Sequence, residues 1–280
     1  MPLITVTPPT GPIEMYYEIH GPAPSDSAGD RPPRHNMRVL NISGSGSELR
    51  HAFADRSPLN RAFEVMHYDQ RGLGQTDKPP GPYTMRQYAD DAAALLAAVG
   101  WTSCAVVGTS FGGMVAQHLA IHHAHLVERL ALNCTSPGGT KPSFPLHTIE
   151  ALDLEARIEL RMGLLDNRWD PGQDDPIPGL GPFYDAMIER ARLTREPEAG
   201  RGYQAQLEAR SGHDASASLH RIEAPTLVCA GEFDDLAPLA NSAALAEAIP
   251  DAQLRVFDGG HLFLLQDRSA FPAIIDFLAP

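Results

Sequence analysis

Apolar residues recur along the chain as short runs, separated by longer stretches with a different period. Residues 3–6 and 13–19 alternate apolar and polar positions as paired strands do, with the turn residues Pro8, Pro9, Thr10, Gly11 and Pro12 between them. Residues 21–33 read as a surface loop. Strand-length apolar runs then follow at 39–42, 65–68, 105–107, 130–133, 226–230 and 254–257. Between them lie helical periods such as 85–99, where Tyr88, Ala92, Leu95, Leu96 and Val99 share one face. This alternation predicts an α/β fold whose mostly parallel, eight-stranded sheet is flanked by helices, with the first two strands antiparallel at one edge. In such sheets the chemistry sits at the carboxyl ends of the strands.

The alternation breaks at residues 137–220, where two or three amphipathic helices surround the acidic, Pro- and Gly-rich stretch 170–182. A helical insertion between two parallel strands reads as a cap over the strand ends. The expected organisation is a core of residues 1–136 and 221–280 with a helical cap, or lid, of residues 137–220 inserted in it.

Composition narrows the function. With 43% apolar and 20% charged residues in 280, the chain has the profile of a globular protein with a sizeable core. A net charge of −13 and no basic cluster argue against nucleic acid as a partner. Cys104, Cys134 and Cys229 sit singly in apolar surroundings, with neither disulfide nor metal spacing, so buried free thiols are expected. No apolar stretch approaches the roughly 20 residues that span a bilayer, and the N-terminus has no leader-like pattern. A cytoplasmic protein with no membrane partner is the expectation.

The chemistry starts at Gly108-Thr109-Ser110-Phe111-Gly112, directly after the apolar run 105–107 and before an amphipathic helix. G-x-S-x-G in a strand-turn-helix context is a nucleophile elbow, and it needs small residues two before and two after the serine. A serine hydroxyl attacks only when a base takes its proton, so a histidine oriented by a carboxylate must follow. The run 226–230 leads into Gly231-Glu232-Phe233-Asp234-Asp235, and the run 254–257 into Asp258-Gly259-Gly260-His261. Both groups thus stand just beyond predicted strands.

With these motifs the chain resembles the α/β-hydrolase fold superfamily along nearly its whole length, in its serine hydrolase branch. The layout is similar to carboxylesterases and to 3-oxoadipate enol-lactonase-like enzymes. The resemblance implies Ser110 as nucleophile, His261 as base and Asp234 as acid, with Asp235 as the alternative acid. The stretch Asp69-Gln70-Arg71-Gly72-Leu73-Gly74 also resembles a family loop and reads as structural. The family's oxyanion hole uses two backbone N–H groups. Phe111 supplies one, and Ser45 is the candidate for the other in Ser43-Gly44-Ser45-Gly46, where serine stands in place of the family's histidine.

Gly44, Leu236, Leu262, Phe263, Phe144 and Trp169 are the candidate substrate-binding residues. Met162, Phe183, Tyr184 and Tyr203 are further candidates for a cap wall. Arg157, Arg161, Arg168, Arg190, Arg192 and Arg195 could meet a substrate carboxylate, although solvated helix faces are the ordinary role of such residues. His118 and His122 stand four apart on one helical face, but the glutamate of H-E-x-x-H is absent, so no metal is expected, nor any other cofactor. The expected reaction is hydrolysis of a small carboxylic ester or lactone through an acyl-enzyme. The same triad also suits carbon–carbon bond hydrolysis of a ring-cleavage product or perhydrolysis, and the fold alone suits a non-catalytic binding module.

Overall fold

Eight strands form one sheet in the order β1-β2-β4-β3-β5-β6-β7-β8: β1 (Leu3–Val6), β2 (Ile13–His20), β3 (Arg38–Ile42), β4 (Glu64–Tyr68), β5 (Cys104–Thr109), β6 (Val127–Asn133), β7 (Thr226–Gly231) and β8 (Gln253–Phe257). The computed structural model describes residues 2–22, 37–51, 54–193 and 197–279. Most of the expected 21–33 loop, and Arg195, lie outside them. The pairs β1/β2 and β2/β4 are antiparallel and the other five are parallel. The antiparallel start at one edge and the parallel remainder match the expectation from the alternation of runs.

Because side chains alternate across a strand, each central strand feeds two cores. Leu40, Ile42, Val106, Leu130, Leu132 and Val228 pack one face against α1 (Met85–Val99) and α2 (Phe111–His122). Val39, Val65, Ala105, Val107, Ala131 and Leu227 pack the other against α7 (Phe263–Gln266) and α8 (Ala270–Leu278). Between β6 and β7 come α3 (Leu154–Leu165), α4 (Gly181–Arg192) and α5 (Pro197–Ser211), and α6 (Leu239–Ala248) separates β7 from β8.

The helix read from periodicity at 85–99 is α1, and its ends are chemically marked. The Gln87 N–H donates to Thr84 Oγ1 (3.2 Å) while the Thr84 N–H donates to Gln87 Oε1 (2.8 Å), a reciprocal capping box. Gly100, at φ +78°, closes the other end. On the buried face Tyr88, Leu95 and Leu96 are shielded from water, each contributing roughly 1.5–3 kcal/mol.

The loop from Asp69 to Thr76 makes its bonds within the chain. Asp69 accepts the Leu49 (2.7 Å) and Gln75 (2.8 Å) N–H groups, and the Thr76 hydroxyl donates to the Asp69 carbonyl (2.6 Å). Arg71 forms a buried two-pronged pair with Asp91 on α1, Nε to Oδ2 at 2.8 Å and Nη2 to Oδ1 at 2.7 Å. The loop therefore ties the first helix to the sheet.

Burial holds three imidazoles neutral, pushing His67 down to about 4, His118 to about 3 and His213 to about 4. In the unfolded chain histidine protonates near pH 6.5. The stability gained from keeping these rings neutral is whole above about pH 6.5 and is lost as the pH falls toward 4. Urea midpoints should therefore decline from pH 7 to pH 4.5, and decline less in His118→Leu; equal declines in both proteins would contradict this assignment.

Candidate active site

The carboxyl ends of β5, β6, β7 and β8 are neighbours in the sheet, and each is followed by a residue of interest: Ser110, Cys134, Asp234 and His261. Parallel strands in consecutive order carry these residues to one edge although the chain separates them by up to 151 positions (261 − 110).

Ser110 stands between β5 and α2 at φ 56°, ψ −116°, a conformation that an L-residue adopts at a cost of about 1–3 kcal/mol. Its surroundings hold it there. The Ser110 N–H donates to the Asn133 carbonyl (2.8 Å), and the Ser110 carbonyl accepts the Thr135 hydroxyl (2.7 Å) and the Gly113 N–H (2.9 Å). The small-residue requirement has a steric origin. A Cβ on Gly112 would collide with the Ile42 carbonyl oxygen, and one on Gly108 would crowd the Gly112 oxygen and Ala116.

Asp234 and His261 meet in the structure. The separation Nδ1···Oδ2 is 2.7 Å, and the other carboxylate oxygen accepts the Leu236 (2.9 Å) and Ala237 (2.8 Å) N–H groups. An ionised carboxylate only accepts, so Nδ1 carries the proton and Nε2 keeps its lone pair. That is the tautomer a general base needs. Asp234 is 3% exposed and Ser110 and His261 are each 8% exposed, so the charged partner works in a dry environment. Asp235 points elsewhere, exposed, its carboxylate accepting from the Asn167 amide at 3.1 Å.

Cys134 is a neighbour that no motif indicates. It adopts φ +41°, and its Sγ lies within 4.8 Å of ligand atoms of both Asp234 and His261. Burial, followed by the Asp234 charge, pushes its thiol well up. Thiol, carboxylate and imidazole are the group with metal-ligand spacing among the described residues, although the short Asp234–His261 hydrogen bond already engages two of them.

The candidate oxyanion donors lie on α2 and on the loop after β3. Phe111 buries its ring edge-on against Tyr88 (centroids 5.0 Å apart), leaving its backbone N–H at the start of α2, where intrahelical acceptors are lacking. Gly44 comes close to the serine, a Cβ at that position lying 3.5 Å from Ser110 Cβ. Farther along the same loop, the Gly46 N–H donates to Gln206 Oε1 on α5 (2.7 Å) and the Ser47 N–H to the Gly44 carbonyl (3.3 Å). Gly44 and Ser45 thus remain as candidate backbone donors.

The substrate-wall candidates divide into groups. Leu236 and Phe144 join Leu73, Leu146, Leu164, Tyr203 and Leu207 in an apolar cluster beside the acid loop. Leu262 and Trp169 pack with Ile158, Met162, Ile177 and Leu180, and the Trp169 indole donates to the Tyr184 hydroxyl (3.3 Å). Phe263 packs apart from both groups. It stacks on Phe257 with centroids 5.1 Å apart, inside the core formed with α8, because the first turn of α7 buries its apolar side under the sheet. Phe183 is half exposed.

Arg168 is likewise engaged by the protein, with Asp166 and Asp258 as carboxylate partners, and Arg157 and Arg192 pair with Glu150 and Glu155. The buried cation that sequence reading missed is Arg210. Its Nη1 donates to the Phe144 carbonyl (2.5 Å), while burial pulls its guanidinium down to about 10. A cavity of about 260 Å³ is bounded by Gly44, Thr109, Asn133, His67, Leu59 and Ile274; neither Ser110 nor His261 is among its walls.

Comparison with known proteins decides the family: the model of the alpha/beta hydrolase family matches residues 39–273. The chain belongs to the α/β-hydrolase family. A poly(3-hydroxyalkanoate) depolymerase of Ectopseudomonas oleovorans is 31% identical over 246 residues, covering 87% of this chain and 85% of the relative. The 3-oxoadipate enol-lactonase 2 of Acinetobacter baylyi is 27% identical over 209 residues, covering 75% and 76%. The crystal structure of the enol-lactonase from Burkholderia xenovorans LB400 superposes with a TM-score of 0.76 at 25% identity, covering 99% and 100%. The relatives of this α/β-hydrolase are hydrolases, and no described helix is long and apolar enough to cross a membrane.

Proposed function

We propose that this α/β-hydrolase cleaves a small carboxylic ester or lactone by acyl transfer through Ser110. The carrying observation is the 2.7 Å Asp234–His261 pair, which fixes the imidazole tautomer at the same sheet edge as the nucleophile elbow. Ser110 Oγ attacks the carbonyl carbon while His261 Nε2 takes the hydroxyl proton. The Phe111 N–H and a backbone N–H of the Gly44–Ser45 stretch stabilise the oxyanion. On collapse the imidazolium protonates the leaving alkoxide, leaving an acyl-serine. His261 then activates water, and the acid departs with Ser110 restored. Residues 137–220 act as the cap, closing the reaction off from solvent. The enol-lactonase relatives support a lactone or ester as the bond cut.

The scheme requires one intermediate for all esters of a given acid. With methanol present, p-nitrophenyl butyrate and phenyl butyrate should yield the same ratio of methyl butyrate to butyrate. A ratio that follows the leaving group would mean direct attack by water and would remove the acyl-serine from the scheme.

A further inference from the structure

The last turn of α3 lies against both loops that carry the acid and the base. The carbonyls at a helix C-terminus lack intrahelical donors. Here the acid and base loops supply them: Leu164 O accepts the Asp235 (3.2 Å) and Leu236 (2.9 Å) N–H groups, and Leu165 O accepts the His261 N–H (2.6 Å). The approach is so close that a Cβ on Gly260 would collide with the Leu165 carbonyl oxygen.

Next along the chain comes Asp166, whose carboxylate is fully buried. Oδ1 accepts the Arg168 backbone N–H (3.0 Å) and Arg168 Nε (2.9 Å). Oδ2 accepts Arg168 Nη2 (2.8 Å) and Gln266 Nε2 (2.7 Å). The same Gln266 amide accepts the Gly260 N–H through Oε1 (2.9 Å), and its Nε2 also donates to the Pro178 carbonyl (2.8 Å). Arg168 in turn donates to Asp258 (2.8 Å) and stacks its guanidinium 3.8 Å from the centre of the Phe233 ring. Phe233 precedes Asp234, and Gly260 precedes His261. A single buried carboxylate thus joins the residues just before both members of the Asp–His pair.

We propose that Asp166 is a positioning residue for His261, acting through Gln266 and the Gly260 N–H; this role rests on the serine-hydrolase reading above. Asp166 orients the Gln266 amide, since an acceptor-only carboxylate forces Nε2 toward itself and leaves Oε1 to hold the Gly260 N–H. When the carboxylate is lost, only the Pro178 carbonyl still holds Nε2, the amide is less firmly set, the Gly260 N–H bond loosens, and the loop that aims the imidazole relaxes. Burial alone would raise the Asp166 carboxyl, yet the hydrogen bonds from Arg168 and Gln266 outweigh it and hold the group ionised. A misplacement of about 1 Å at a reacting group costs on the order of 100-fold in rate.

The test compares Asp166→Asn and Gln266→Met with wild type on p-nitrophenyl butyrate, scoring kcat per active site titrated with a fluorophosphonate. Gln266→Met leaves the Asp166–Arg168 pair intact, so the measurement survives if Asp166→Asn folds poorly. The expected result is a fall in kcat of about 10- to 100-fold in both variants with KM within about twofold. A Gln266→Met enzyme with wild-type kcat per titrated site would reduce Asp166 to a structural staple and overturn the proposal. Wild-type label found on a residue other than Ser110 would instead overturn the serine reading, and this role with it.

Discussion

Ser110→Ala should lower kcat for ester hydrolysis by about 10⁴-fold or more while shifting the thermal midpoint little. The size of the effect follows from what is removed. Without the hydroxyl no acyl-enzyme forms, and the oxyanion donors and the dry pocket can accelerate only direct attack by water. The fold should tolerate the change because the strained backbone at φ 56° is held by bonds from the Ser110 main chain to the Asn133 carbonyl, the Thr135 hydroxyl and the Gly113 N–H, none of which uses the serine side chain. His261→Ala should cost about as much, since the nucleophile and base act as one unit. Initial rates with p-nitrophenyl butyrate and a melting curve recorded by circular dichroism are sufficient. Retention of even a tenth of wild-type kcat by a folded Ser110→Ala enzyme would refute the role assigned to this residue.

Arg71→Met should destabilise the protein by about 3–5 kcal/mol. Arg71 and Asp91 are 6% and 1% exposed, and the guanidinium meets the carboxylate with both of its prongs. Truncating the cation strands a carboxylate that burial already pushes toward protonation, so the penalty is that of an uncompensated buried charge. For a chain of this size the thermal midpoint should drop by on the order of 10 °C. The double variant Arg71→Met/Asp91→Leu removes the stranded charge as well and should recover much of the loss, because a hydrophobic replacement of a buried pair is often nearly neutral. Thermal melts of the three proteins decide this; a single variant as stable as wild type would show that the loop is not held by the pair.

Much of this architecture is legible in the sequence because its signals are local. Gly108 and Gly112 flank Ser110 in a turn too tight for larger residues, and the apolar run before it and the amphipathic stretch after it announce a strand and a helix. The helix at 85–99 carries its own cap and stop. Asp234 and His261 are legible for a different reason: each follows a strand-like run, and parallel strands place such positions at one edge.

What escaped the reading is what only tertiary contact decides. Phe263, two residues beyond His261, looks like a pocket wall, yet the first turn of α7 rolls its ring onto Phe257. Arg168 looks like a free cap cation, but Asp166 and Asp258 engage it. Asp166, Gln266 and Gln206 belong to no motif, because their partners are distant in the chain: Asp166 accepts from the Gln266 amide 100 positions on, while Gln266 and Gln206 hold the backbone N–H groups of Gly260 and Gly46, 6 and 160 positions away. Nothing in the periodicity of a helix tells which loop its last carbonyls will meet.

A nucleophilic Ser110 activated by His261 is open to a fluorophosphonate, which reports it without knowledge of the natural substrate. The native protein is treated with the probe and digested, and the adduct is located by mass spectrometry in wild type and in His261→Ala. Ser110 should be labelled rapidly in wild type, with a loss of at least 100-fold in labelling rate in the variant. An adduct on another residue, or equal labelling of Ser110 in both proteins, would contradict it.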